Sequence, residues 1–180
     1  MTRTALAGAT SPLRTSRLVA GEQSAPPNRE ALLMRTLINH PWLLDDWAEQ
    51  IAEITFESTA LSRLRDAILS IQVTENSLDR TTLASQLTVS GLDKVVNLVE
   101  RANTHRSDRF CEPDAERAEV EAGWRHALAL HERQSGLKRS LSAALQAFDR
   151  EGSEDALARI CEIKHLLAQD FDQEALDSSP

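Results

Sequence analysis

Arg29-Glu-Ala-Leu-Leu-Met-Arg-Thr-Leu-Ile-Asn-His-Pro-Trp-Leu-Leu44 is the stretch that decides the fold. Leu33 and Leu37, like Met34 and Ile38, recur four apart, which puts them on one side of a helix. That helix has to stop at His40, because a proline disfavours helical geometry in the residue before it. Pro41 suits the opening of a second helix, where its missing N–H costs no hydrogen bond. Leu43, Trp47, Ile51 and Ile54 then carry helical spacing to about residue 54. Two short amphipathic helices separated by a proline break predict helices packed on helices.

The same grammar continues outward. Ser58 is an N-cap for a third helix, striped by Leu61, Leu64, Ile68 and Ile71. A polar turn at Glu75-Asn76-Ser77 precedes a fourth helix of about Asp79 to Leu87. Gly91 separates it from a fifth, whose Leu92, Val95, Val96 and Val99 face inward. Residues 29–112 are thus expected to form a helical bundle subdomain that closes with a polar gap from His105 to Glu112. A long connecting helix is predicted over 113–136, its first turn made acidic by Asp114 and Glu116 in keeping with the helix dipole. Val120, Trp124 and Leu128 should face the bundle. A bend is expected at Ser135-Gly136, where helix propensity drops.

Beyond it, residues 137–170 predict a helical hairpin. One arm carries Leu137, Leu141, Leu145 and Phe148, and Arg150-Glu151-Gly152 makes the turn. Ser153 caps the other arm, striped by Ala156, Ile160, Ile163 and Leu167. Residues 171–180 read as a flexible acidic tail. Residues 1–28 read as a disordered linker, with Pro26-Pro27 before the first helix. The acid-free leader, with Arg3, Arg14 and Arg17, has the composition of a transit peptide too, but it lacks an amphipathic stripe.

Composition agrees with an all-α fold: 41% hydrophobic, 4% aromatic and no Tyr. A net charge of −8 argues against direct nucleic-acid binding, which needs clustered cations. No apolar run approaches bilayer-spanning length, so no membrane contact is expected. Cys111 and Cys161 are too far apart for a metal motif and read as reduced thiols of a cytoplasmic protein.

Catalytic patterns are missing. Phosphate-cradling glycine loops, a nucleophile elbow and paired cysteines do not occur. Glu162-Ile-Lys-His165 has the spacing of a di-iron motif, but such sites need two copies and two further carboxylates. Asp45 and Asp46 point different ways on a helix. No catalytic residue, metal site or cofactor is expected. Trp47 and Trp124 read as core residues, and Trp42 is less decided.

The opening stretch, with Glu30, Leu33, Asn39, His40 and Pro41, resembles the helicase-interaction domain of DnaG-type bacterial primases. The likeness continues through Phe56 to Leu69 and from Trp124 to the hairpin ending near Leu167. It covers residues 28–170 and rests on the order of elements more than on any single motif. The resemblance implies a non-catalytic bundle-plus-hairpin domain that recruits a primer-synthesising enzyme to the replicative helicase. The hairpin would dock on the N-terminal domain of that hexamer, and the bundle would help stimulate it. The parent's zinc and magnesium would belong to domains not present in this sequence.

No family motif fixes the docking residues, so they are read from physics alone. Leu137, Leu141, Leu145 and Phe148 on one arm and Leu157 and Ile160 on the other are the apolar candidates. Lys138, Arg139 and Arg150 form the charged rim. Some of these must zip the hairpin itself. Two other readings fit the pattern: the N-terminal collar domain of the replicative helicase, which would self-assemble, and an unrelated helical adaptor.

Overall fold

The computed structural model describes residues 26–75, 78–102 and 106–177. Those residues form seven α-helices and one 3₁₀ turn, with no β-strand among them. The helices are α1 (Asn28–Asn39), α2 (Leu43–Glu53), α3 (Thr59–Thr74), α4 (Arg80–Val89), α5 (Asp93–Arg101), α6 (Arg117–Glu151) and α7 (Glu154–Asp177), and the 3₁₀ turn spans Arg106–Cys111. The all-α bundle expected from the sequence is the observed architecture. The linker assigned to 1–28 lies, up to residue 25, outside the described residues.

Local chemistry sets the helix boundaries. Ser58 Oγ accepts the Leu61 N–H at 3.4 Å and opens α3. Asp79 Oδ1 accepts the Thr82 N–H at 2.7 Å and opens α4, and these bonds hold its carboxyl below the usual range. Leu44 N–H donates to the Pro41 carbonyl at 3.0 Å, so Pro41 sits in the turn that starts α2. Gly152 takes a left-handed φ of 61° and donates to the Phe148 carbonyl at 2.8 Å, ending α6.

One core gathers side chains from α1 through α6. Leu33, Leu43, Ile51, Leu64, Ile68, Leu83, Val99, Val120 and Trp124 are completely buried within it. Trp42 and Trp47 pack on its edge beneath guanidinium groups, Arg117 at 4.2 Å from the Trp42 ring and Arg125 at 5.7 Å from that of Trp47. The Trp124 indole N–H is buried without a hydrogen-bond partner.

The residues of the opening stretch act as staples. Both oxygens of buried Glu30 accept backbone N–H groups, Glu57 at 2.6 Å and Ser58 at 3.2 Å, fixing the entry to α3. Asn39 Nδ2 donates to the Cys111 carbonyl at 2.8 Å, and His40 Nε2–H donates to that of Glu112 at 2.9 Å. Burial lowers the His40 pKa, with the backbone of Glu112 and Phe110 opposing. α1 is thereby clamped to the 3₁₀ turn.

Three boundaries differ from expectation. The gap before the long helix is not merely polar: the 3₁₀ turn buries Phe110 and Cys111. The Phe110 ring lies so close to Gly123 that a Cβ there would sit 2.2 Å from it, so α6 passes the ring only as glycine. Next, α6 begins at Arg117 rather than Pro113, because Pro113 and Asp114 occupy a turn closed by Ala115 N–H to the Glu112 carbonyl at 3.1 Å. The acids Asp114 and Glu116 therefore precede the helix, and Glu119 is the acid of its first turn. Finally, α6 runs as one helix through Ser135-Gly136, past the boundary expected at 136, and α7 continues to Asp177 where a flexible tail was expected from 171. In both places intrahelical bonding carries the backbone on through weak local propensity.

Candidate interaction surface on the helical hairpin

The far half of α6 and all of α7 form the predicted antiparallel hairpin. Its seam holds Ala144, Ile160 and Ile163 as buried residues, with Leu137, Leu141, Phe148 and Leu167 packed against them. On α6 the seam thus steps 137, 141, 144, 148, a spacing of four, three, four. Leu145 stands about 100° round from Ala144 and is turned outward.

The docking candidates separate accordingly. Leu137, Leu141, Phe148 and Ile160 hold the two arms together, Phe148 keeping part of its ring accessible. Leu145 and Leu157 are left 42% and 49% exposed. They lie seven residues before and five after Gly152, so both are within about 11 Å of the hairpin turn along the helix axes. Arg139 and Arg150 are exposed, and Arg150 Nε donates to the Gln146 carbonyl of its own helix at 3.1 Å. Lys138 faces elsewhere: its ammonium pairs with Glu57 of the bundle.

That pair belongs to a junction that sequence reading did not find. His131 is buried, and its Nε2–H donates to the Thr55 carbonyl at 3.0 Å beside the Phe56 ring. Arg29 Nη1 donates to the Leu130 carbonyl at 3.3 Å. Arg133 pairs at 3.0 Å with Asp170, whose side chain is only 10% exposed. Burial pulls the Arg29 pKa down while attraction to the same Asp170 opposes it. The start of α1, the middle of α6 and the far end of α7 therefore converge on one carboxylate. The hairpin root is tied to the bundle on both sides of Gly136. An ion pair between residues 37 positions apart leaves no periodic trace, which is why the junction escapes a pattern reading.

Glu162 and His165 are exposed, and the imidazole meets Gln169 at 3.0 Å. Among the described residues no three His, Cys, Asp or Glu side chains come together as metal ligands, and no helix is long and apolar enough to cross a membrane. Cys111 is buried, and desolvation raises its pKa to about 11; Cys161 is exposed on α7. Comparison with protein-family models, curated proteins and solved structures gave no match to this chain.

Proposed function

We propose that this chain is a non-catalytic recruitment domain of the primase type, carrying a primer-synthesising enzyme to the hexameric replicative helicase of a bacterial cytoplasm. The observation that carries the reading is the hairpin tip, where Leu145 and Leu157 stay exposed although Ile160 and Ile163 beside them are buried. Large aliphatic residues left in water at the end of a braced hairpin favour a protein partner. The order of elements, five short helices, a long helix and a hairpin arm, supports the same family. Phe148 and Ile160 serve this function indirectly, by keeping the two arms in register.

The test is binding to the N-terminal domain of the replicative helicase from the same organism. Wild type should bind saturably in the micromolar range or tighter. Leu145→Asp and Leu157→Asp should each weaken binding by about tenfold or more with the helical circular dichroism intact. These are cleaner than substitutions at Phe148, which also open the seam. No binding at about 100 μM would overturn the reading. Self-assembly of the chain into rings would favour the helicase-collar alternative instead.

A further inference from the structure

The bundle carries a groove that the hairpin reading leaves unused. It lies between the first turn of α3 and the outer side of α5 and has a volume of about 760 Å³. Arg63, Lys94 and Arg101 line it, and none of its ten lining residues is Asp or Glu. In a chain where acids outnumber Lys and Arg by 28 to 20, that is a local reversal of sign. The start of α3 adds the positive end of a 16-residue helix.

The groove has an apolar floor as well. Lys94, Leu98 and Arg101 stand at i, i+4 and i+7 on α5, which sets a leucine between two cations on one stripe. Leu92 and Val95, which belong to or pack on the core, continue the floor. Leu98 is half-buried and lies off the inward stripe that Val95 and Val99 define.

We propose that this groove is a second docking site, for an acidic amphipathic peptide segment of a partner protein. Its carboxylates would meet Lys94 and Arg101, and an apolar side chain would cover Leu98. Nucleic acid fits the groove less well. No aromatic side chain lines it to stack on bases. The proposal is independent of the hairpin reading, because the groove and the hairpin tip share no residue.

The experiment uses the full chain and a short fluorescein-labelled peptide of glutamates with leucines at every third and fourth position. Fluorescence anisotropy at about 0.1 M salt, where the screening length is about 10 Å, should show saturable binding. The double variant Lys94→Glu/Arg101→Glu and, separately, Leu98→Asp should each weaken it by about tenfold or more. All of these positions are at least partly exposed, so circular dichroism should stay unchanged. Leu145→Asp, which tests the hairpin, should leave peptide binding as it is. The proposal is overturned if the peptide does not saturate, if lysines in place of the glutamates bind equally, or if both groove variants bind as wild type. It is likewise overturned if a single-stranded oligothymidylate binds the same groove more tightly than the peptide.

Discussion

In the bundle, six helices meet in one cluster around a completely buried Trp124. In the hairpin, two helices share a seam in which Ala144, Ile160 and Ile163 are the buried apolar residues among those described. Both regions use aliphatic residues at helical spacing, and they differ in how many neighbours each element has. A helix surrounded by others can bury its whole apolar stripe. A helix with one neighbour buries half of it and leaves the rest, here Leu145 and Leu157, in solvent. The bundle therefore closes its apolar surface on itself, whereas the hairpin leaves part of its own in solvent.

Substitutions sharpen that contrast. Trp124→Ala should have the largest effect, about 3–5 kcal/mol off global stability in urea unfolding, because the bundle cannot collapse around the loss. A cost below about 1 kcal/mol would mean that the bundle core is looser than its burial implies. Ile163→Ala should cost about 2 kcal/mol, at the low end for its type, and act on the hairpin alone. Amide exchange should quicken along α7 and the far half of α6 while α1 to α5 stay protected. The thiols give a second readout. Cys161 should react in the native protein, and Cys111, buried and held as the thiol by a pKa of about 11, should react only on global opening. If Ile163→Ala speeds labelling of Cys111, the two regions unfold as one and the comparison fails.

Glu30→Gln should cost about 1–3 kcal/mol, since the Glu57 and Ser58 N–H groups bind different oxygens and one of these becomes an NH2 that can only donate. Acid should loosen the same clamp from its other end. Burial lowers the His40 pKa in the fold, so the unfolded chain takes up protons first. Stability from this group is full above the ordinary histidine value near 6.5 and is lost as pH falls from there towards the lower folded value. Thermal melts from pH 7.5 to 5.5 should show the decline, and His40→Asn should flatten it. The smallest effect is a gain. A Cβ at Gly136 meets nothing within 4 Å, so Gly136→Ala should raise stability by about 0.5–1 kcal/mol. A loss there would mean that the middle of α6 needs glycine after all.

Legibility in the sequence followed the same division. Helix starts at Ser58, Asp79 and Ser153 and the stop at Gly152 were readable because caps and turns are local chemistry. The hairpin seam was readable only in part, since Ala144 is inconspicuous beside Leu145 although it is the residue the seam uses. The reach of Glu30 to α3, of His40 to Glu112 and of Asp170 to Arg133 joins residues 27 or more positions apart, and nothing periodic announces such pairs. The burial of Phe110 went unseen because its partner is an absence of side chain at Gly123.

The uninterrupted 35-residue α6 has a mechanical consequence. At about 1.5 Å per residue it is a mast of roughly 50 Å, with its lower part sunk in the bundle and an ion pair to it from Lys138. About 20 Å of it lies beyond that pair, so helix geometry sets the height and compass bearing of the tip relative to the pair. Inserting one alanine after Arg139 would lift the tip by only about 1.5 Å but swing its bearing by about 100°. Anything bound at the tip would be held from the bundle at a gauge written in helical turns.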